Sequence, residues 1–472
     1  MAKLLFGLSG DGRGHGSRDK VIIEHLLAQG HEVKVVTSGK GYEFLRDYFG
    51  VEPILGLKVV NRNEQVDAWQ TVKEASRLLT VQGWSTAKTL TNIINRFKPD
   101  IAISDFEPFT AFMSHLRRVP LISIDNQHVI TRCKLEYPNT WEKDYRIAYA
   151  VCGGINGFAK HFYITSFFSP EVKRTCRRNT SMVGPILRKE VLEKIPETGN
   201  HVLVYMRTPE RGKIVLPLLE QIDANFTIYG VNNTDTLSDN ICIKSPDNEV
   251  FLNDLASSKA VITNGGHSLI SEALYLGKPL YSIPTHGDFE QMINAYYLQR
   301  LGYGLYDLNP SVKRIQFFLN YIEHFKENID QDHSRFNGND KFFLLIDSTI
   351  ESICNGPRVS AQQISVSKPR ATSHRKQFNA HFLLPAGKLV QNVQGLHAGL
   401  SKGNARTALS LRGISDMSQV VHLWHKGIRR PCISTQVMEA KRLCRVFFGS
   451  LFSFLAEEVV ARVWRRLSYH RL

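Results

Sequence analysis

Short apolar runs alternate with helical patterns along the first 355 residues of the chain. The runs are rich in Val, Ile and Leu, as in strands of a parallel sheet that is covered on both faces. The segments between them show the apolar spacing of amphipathic helices. In the first part of the chain the pattern predicts strands at residues 4–9, 33–37, 101–104 and 121–124 and a helix at 21–28.

The alternation stops and then restarts after residues 183–188, which resemble a linker. The fold class is therefore α/β, with two Rossmann-like doubly wound domains and a cleft between them. We expect a first domain at 1–165, a linker region at 166–188 and a second domain at 189–355. Predicted strands of the second domain are 202–206, 226–229, 241–243, 261–263 and 280–283, with helices at 214–222 and 250–257 and closing helices at 313–325 and 342–353.

The formal net charge of +15 belongs to one part of the chain. Residues 356–472 hold 19 Lys and Arg against 4 Asp and Glu, so residues 1–355 are balanced in charge. The overall basicity therefore does not predict specific nucleic-acid binding by the two domains. Two interpretations of this basic tail stay open: a disordered extension, or a helix at 440–467 that lies on anionic lipid.

Cysteine usage and hydropathy indicate the compartment. The seven cysteines are odd in number and form no Cys-x-x-Cys pair, which favours reduced thiols and no zinc site. No apolar run approaches the roughly 20 residues that span a bilayer. The residues that follow Met1 lack the long apolar region of a signal peptide. We expect a cytoplasmic protein, either free or bound peripherally at the inner face of the membrane.

Residues 263–294 carry the most informative pattern of the chain. A β-branched run leads into Gly265 and Gly266, and a helical pattern starts directly afterwards with His267 and Ser268. Glycines let a phosphate approach the backbone, and N–H groups at a helix start attract anions, so these four residues predict a diphosphate site. The carboxylate of Glu272, about one helical turn further on, suits a ribose diol. Two more polar residues, Glu290 and Gln291, begin the next helix and offer groups to sugar hydroxyls.

The loop at residues 10–16 contains four glycines but does not fit a dinucleotide site. The third glycine of Gly-x-Gly-x-x-Gly is missing in either register, and no acidic residue ends the second strand. We expect Gly12 and Gly14 to give clearance beside an acceptor and His15 to act as a general base, for which an imidazole pKa near 6.5 is suitable. The alternative is a histidine that caps the following helix.

Other polar residues follow the predicted strands. Asp105 is the candidate partner that orients His15, although an Asp there could instead cap the next helix. Asp125 and Asn126 follow the next strand and are candidates for acceptor binding or for ordinary loop contacts. Arg207, after the first strand of the second domain, either offsets phosphate charge or is simply an exposed arginine.

The stretch 263–294 resembles the donor-binding signature of GT-B glycosyltransferases, and the loop at 10–15 resembles that of their MurG-like branch, glycosyltransferase family 28. The resemblance covers about residues 1–355 and has no counterpart for the tail. It implies that Glu272 binds the donor ribose, that Glu290 and Gln291 bind sugar hydroxyls, and that His15 activates the acceptor. It also implies an inverting reaction without a metal ion.

The sequence thus predicts transfer of a sugar from a nucleotide-sugar, most simply a UDP-sugar, to an acceptor hydroxyl, with no cofactor besides this co-substrate. The acceptor is expected among lipid-linked or cell-envelope glycans, which fits peripheral membrane contact. Two alternatives remain: a UDP-sugar epimerase on the same fold, and a sugar-nucleotide sensor without catalytic activity whose basic tail binds a partner.

Overall fold

The computed structural model describes residues 1–355 except 11, 57–60, 63–64, 67–80, 232–237 and 246. The basic tail at 356–472, including the predicted helix at 440–467, lies outside the described residues. Two parallel α/β units account for the described part of the chain.

The first unit contains β1 (Lys3–Leu8), α1 (Arg13–Ala28), β2 (Glu32–Thr37), α2 (Gly39–Leu45), β3 (Val51–Pro53), β4 (Asn61–Arg62), β5 (Gln65–Val66), α3 (Val81–Phe97), β6 (Ile101–Asp105), α4 (Pro108–Leu116), β7 (Leu121–Asp125), α5 (Val129–Arg132), α6 (Glu142–Gly154), β8 (His161–Thr165) and β9 (Thr180–Val183). Seven of these strands form a parallel sheet in the order β3-β2-β1-β6-β7-β8-β9. The chain runs outward from β1 to β3 and returns to β6 on the other side of β1, so the strand order reverses between β1 and β6, where open α/β sheets bind ligands. The short strands β4 and β5 form a separate antiparallel pair.

The chain continues with α7 (Lys189–Leu192), β10 (His201–Tyr205), α8 (Pro209–Leu219), β11 (Asn225–Tyr229), β12 (Ile241–Ile243), α9 (Asn248–Ser257), β13 (Ala260–Thr263), α10 (His267–Tyr275), β14 (Leu280–Ser282), α11 (Phe289–Arg300), β15 (Gly304–Tyr306), α12 (Val312–Asn320), α13 (Ile322–Asp332) and α14 (Asn339–Asn355). The second unit has a parallel sheet of six strands in the order β12-β11-β10-β13-β14-β15. Its switch point lies between β10 and β13, at the loops that carry Arg207 and Gly265.

Two segments cross the expected domain limits. Strand β9 lies inside the segment predicted as a linker and pairs in parallel with β8, so it extends the first sheet. Helix α14 comes after the second sheet in the chain, yet its Phe342, Ile346 and Ile350 pack in the core of the first unit. The Tyr163 hydroxyl also donates to the Leu345 carbonyl at 2.7 Å. The last helix therefore closes the first unit, whereas the sequence pattern placed it on the second.

An apolar cluster joins the two units. Phe168, in the loop between β8 and β9, stacks on Tyr297 of α11 with ring centroids 4.3 Å apart. Trp141, at the start of α6, contacts the ring of Tyr296 edge-on at 6.0 Å. These residues lie in one continuous core cluster with buried side chains of both sheets. Burial of this apolar surface holds the two units against each other.

The predicted fold class, two Rossmann-like α/β units, is confirmed. The strands missed by the sequence pattern are β3, β4, β5, β8, β9 and β15, which are short or begin with polar residues. The predicted helix at 313–325 is two helices, α12 and α13, separated at Tyr321. In the described part of the chain no helix combines the length and the apolar character required to cross a bilayer.

Candidate active site

The structure brings His15 and Asp105 together at the switch point of the first sheet. Leu8 of β1 and Asp105 of β6 are register partners, so the loop after β1 passes beside the end of β6. The Nδ1 atom of His15 lies 2.8 Å from Oδ2 of Asp105. Asp105 is buried, while 18% of the surface of the His15 side chain is exposed to solvent. The pair has the geometry of an imidazole that is oriented by a carboxylate.

The local structure decides against the capping alternatives for both residues. His15 is the third residue of α1, whose N-cap is Gly12 at φ 110°, so His15 does not cap this helix. Helix α4 is capped by Glu107, whose oxygens accept from the N–H groups of Phe109 and Thr110 at 2.9 and 2.6 Å. Phe106, between Asp105 and this cap, adopts a left-handed φ of 52°. This turn frees the Asp105 carboxylate to face α1 rather than the start of α4.

The electrostatics of the pair suit a base. Burial lowers the pKa of His15, but the charge of Asp105 and its hydrogen bond outweigh burial, so the net pKa lies above its ordinary value. Burial opposes ionisation of Asp105, yet the nearby Arg18 and His15 hold its pKa well below the usual range. An ionised Asp105 can only accept, so Nδ1 carries the proton and Nε2 keeps its lone pair. That nitrogen can take a proton from a substrate.

Arg18 belongs to the same cluster and was missed by the sequence interpretation. Its guanidinium donates from Nη2 to Asp105 Oδ2, and the same nitrogen lies 3.3 Å from Nδ1 of His15. The signal was available, because residues i and i+3 of a helix share a face and Arg18 follows His15 by three. Arg18 is buried, and its neighbour Asp19 is fully buried.

On the other side of the cleft, helix α10 begins at the predicted glycine turn. A Cβ on Gly265 would lie 2.3 Å from the Gln291 carbonyl oxygen, so only glycine fits there. Gly266 is the N-cap and offers no side chain to the first N–H groups of the helix. His267 is buried, and burial, reinforced by the charge of Arg18, lowers its pKa to about 3. Its Nδ1 atom is buried and has no hydrogen-bond partner within the described ranges.

The two helix starts meet across the cleft. A Cβ on Gly14 would lie 2.7 Å from Oγ of Ser268, so glycine at this position allows α1 and α10 to approach. A small cavity lies between them. It is lined by Gly14, Ser17 and Arg18 of α1, by His267, Ser268, Ser271 and Glu272 of α10, and by Ile186 and Arg188 of the connecting segment, residues 184–188. Two arginines and the N-terminus of α10 make this cavity suitable for an anion.

Glu272 is held by an arginine that the sequence interpretation did not identify. Arg188 donates from Nε to Oε1 at 2.9 Å and from Nη2 to Oε2 at 3.0 Å. A carboxylate has about four lone-pair sites, so each oxygen of Glu272 can still accept from a hydroxyl. The expected contact of Glu272 with a ribose diol stays a prediction. Arg188 fixes the orientation of the carboxylate that would make this contact.

The residues at the start of α11 have different surroundings. Glu290 accepts from Nε2 of Gln127, across the cleft, at 2.9 Å. Burial and then the charge of Asp288 raise the pKa of Glu290 to about 7. The Gln291 amide is engaged by the protein, since its oxygen accepts from the Thr285 N–H at 3.1 Å and its nitrogen donates to Asp288 at 2.7 Å. Of the two, Glu290 is the better placed for a sugar hydroxyl.

The remaining predicted residues have structural contacts. Asp125 is buried and accepts from the Ser123 hydroxyl, the His128 N–H and the His128 ring, all between 2.7 and 2.8 Å. Asn126 is buried and donates to the Thr165 carbonyl at 3.0 Å. These contacts stabilise the loop after β7, and an acceptor contact by either residue stays a prediction. Arg207 is exposed, and its backbone N–H donates to Asn264 at 2.9 Å.

In the described ranges, no group of three or more His, Cys, Asp or Glu side chains is arranged to hold a metal ion. The five cysteines of those ranges are free thiols, at positions 133, 152, 176, 242 and 354.

Comparison with known proteins identifies the family. The sequence profile described as Glycosyl transferase family 1 matches residues 2–323. The chain belongs to glycosyl transferase family 1. This glycosyltransferase is similar to an uncharacterized glycosyltransferase of Methanosarcina acetivorans, with 26% identity over 337 residues that cover 64% of this chain and 84% of the relative. An uncharacterized glycosyltransferase of Methanosarcina mazei is 24% identical over 337 residues, which also cover 64% of this chain and 84% of the relative.

Solved structures agree with the fold of this glycosyltransferase. The glycotransferase of kitacinnamycin superposes with a TM-score of 0.55 at 14% identity, over 74% of this chain and 98% of that one. Spinosyn forosaminyltransferase superposes with a TM-score of 0.53 at 13% identity, over 75% and 99% of the two chains. The two units therefore have the GT-B fold. The family match and the relatives confirm the enzyme class expected from the sequence, a glycosyltransferase.

Proposed function

We propose that the enzyme transfers a sugar from a UDP-sugar to an acceptor hydroxyl, with inversion at the anomeric carbon and without a metal ion. One observation carries the proposal: the His15 and Asp105 pair lies across a narrow cleft from the uncapped N-terminus of α10. A base for the acceptor and a site for a departing diphosphate are the two groups that such a transfer requires.

This geometry supports the following proposed reaction. Nε2 of His15 takes the proton of the acceptor hydroxyl as its oxygen bonds to the anomeric carbon, and the bond from that carbon to the diphosphate oxygen breaks. The electron pair of the broken bond stays on the diphosphate, where the N–H groups at the start of α10 stabilise it. The imidazolium that forms is stabilised by Asp105. Because base and leaving group lie on opposite sides of the cleft, attack from the far face inverts the configuration.

The donor contacts are part of the proposal. Glu272, oriented by Arg188, accepts from the ribose diol, and Glu290 accepts from a sugar hydroxyl. Placement in the MurG-like branch, with a lipid-linked or cell-envelope glycan as acceptor, rests on the loop at residues 10–16. That finer placement is a proposal about substrate and not about fold.

The proposal is tested on the full chain with a panel of UDP-, dTDP- and GDP-sugars, each with soluble glycoside and lipid-linked acceptors. We expect release of UDP that requires an acceptor, no metal requirement in the presence of EDTA, and a product of opposite anomeric configuration by NMR. Conversion of a UDP-sugar to its epimer without acceptor, or retention of configuration, would contradict the proposed reaction.

A further inference from the structure

Arg18 occupies the centre of the site without having a role in the reaction described above. It is one helical turn beyond His15 on α1 and shares Oδ2 of Asp105 with the imidazole, through a hydrogen bond from Nη2. Because Oδ2 accepts from both the guanidinium and the imidazole, two donors fix the position of this carboxylate oxygen beside the ring. Arg18 is therefore placed to orient Asp105.

Asp19 is the more distant of the two carboxylates that flank Arg18. It is fully buried, and its Oδ1 lies 3.6 Å from Nε of Arg18, beyond hydrogen-bond distance. Burial, and then the charge of Asp105, raise the pKa of Asp19 well above its usual range. The closer ion pair of Arg18 in this buried cluster is therefore the one with Asp105.

Arg18 also borders the proposed diphosphate site. Arg18 lines the cavity at the start of α10 together with His267 and Ser268. Its Nη1 atom has a contact of 3.5 Å with the Thr165 hydroxyl, at the limit of hydrogen-bond length. A nitrogen held this weakly can turn to a phosphate oxygen at little cost.

Resting on the proposed function, we propose that Arg18 is the positioning residue of the His15 and Asp105 pair and also the cation that offsets the charge of the departing diphosphate. One side chain then connects the base to the leaving group. Arginine suits both tasks, because its planar fork binds carboxylates and phosphates and it stays charged when buried.

The first test measures the pKa of His15 by NMR, on the full chain with ¹³C-labelled histidine and with the resonance assigned by its loss in His15→Gln. The charged or titratable groups that influence His15 lie on four elements: Asp105 of β6, Arg18 of α1, Glu290 of α11 and His267 of α10. In Arg18→Met we expect the pKa of His15 to rise, because the cation opposes its protonation. Lys20→Met, which removes a cation from the same helix, should leave it unchanged. An unchanged His15 pKa in Arg18→Met would overturn the positioning role.

The second test compares binding of UDP and uridine by calorimetry. Arg18→Met should weaken the affinity for UDP by about tenfold, the effect expected of one charge-assisted phosphate contact. The affinity for uridine should change by less than about twofold. Equal losses for both ligands would overturn the diphosphate role. If the wild-type chain binds no UDP, the proposed donor is wrong, whereas the NMR comparison still decides whether Arg18 positions the pair.

Arg18→Met leaves Asp105 buried without its cation, and this variant can fail to fold. In that case Asp105→Asn is compared with the double variant Arg18→Met, Asp105→Asn, which removes both charges of the pair. The same selective loss of UDP affinity is expected in the double variant, and its absence would overturn the inference.

Discussion

Arg188, at the end of the connecting segment, binds both carboxylate oxygens of Glu272 on α10, at 2.9 and 3.0 Å. The two residues are 84 positions apart in the chain, and the contact exists because the connecting segment passes beside the start of α10. The contact fixes the Glu272 carboxylate that we propose for the donor ribose, and both side chains line the cavity.

Arg188→Ala is expected to lower both UDP affinity and stability. We expect a loss of about 2 kcal/mol in unfolding free energy, below the 3–5 kcal/mol of fully buried pairs because both side chains keep some solvent contact. Denaturant unfolding and calorimetry with UDP measure the two effects. Arg146→Ala, which breaks the exposed pair of Arg146 and Glu142, should cost about 0–1 kcal/mol and leave UDP binding intact. Equal effects of the two substitutions would contradict a special role for Arg188.

His15→Ala is expected to lower turnover by about 10²–10⁴ and to leave UDP affinity almost unchanged. Glu272→Ala should have the opposite profile, with weaker UDP binding as its main effect. Steady-state rates and calorimetry separate the two. Replacement of the exposed His324 by alanine serves as the histidine control. Mild and equal effects of His15→Ala and Glu272→Ala would count against this assignment.

The rate should fall as the pH is lowered through the pKa of His15. That pKa is raised above its ordinary value, and the protonated imidazole cannot accept the acceptor proton, so activity is present above the folded-state pKa and lost below it. Asp105→Asn removes the charge that stabilises the imidazolium and should move this acidic limb to lower pH, as well as reducing turnover. The dependence of kcat/KM on pH reports the ionisation in the free enzyme. A limb that does not move in Asp105→Asn would exclude His15 as the titrating group.

Much of this site was predictable because its signals are local. The β-branched run before Gly265 and the glycines around His15 predict strand ends with tight turns, and the structure places both at switch points of their sheets. Asp105 was predicted as a partner because it ends a predicted strand, and the structure places that strand beside β1.

The contacts that the sequence did not reveal depend on how the two units pack. Gln127 and Glu290 are 163 residues apart, and no local pattern indicates their hydrogen bond. The helix at 339–355 has an apolar face that could pack on either sheet as far as its sequence shows. In the structure this face packs in the core of the first unit. The left-handed backbone conformation at Phe106 was not predictable, because the residue is not a glycine.

Glu290→Gln is expected to stabilise the enzyme at alkaline pH and to have little effect in acid. The pKa of Glu290 is raised to about 7, so the folded state binds its proton more tightly than the unfolded state does. The folded state therefore loses stability as the pH rises from the unfolded pKa through about 7, by at most about 3 kcal/mol. Thermal unfolding at pH 5 and pH 8.5 measures the difference. Glu220→Gln, at an exposed position, should give no such difference, and a stabilisation by Glu290→Gln that is the same at both pH values would contradict the prediction.

Truncation after Asn355 is expected to leave a folded enzyme that binds UDP and transfers sugar. Both sheets, the helix α14 that closes the first unit and every residue proposed for the site lie within residues 1–355. The truncated chain is also close to neutral, since the excess charge lies beyond it. Thermal unfolding, calorimetry with UDP and transfer assays on the two chain lengths make the comparison.

The control for the truncation is a shorter chain that ends before α14, at Gly338. Without α14 the apolar surface of the first unit around Tyr163 and Phe6 is uncovered, so this chain should lose stability or fail to fold. If the chain ending at Asn355 loses UDP binding while remaining folded, the tail contributes directly to the donor site. If it loses only transfer to lipid-linked acceptors, and does so in proportion to lost binding to anionic vesicles at low salt, the basic tail serves to hold the enzyme at the membrane.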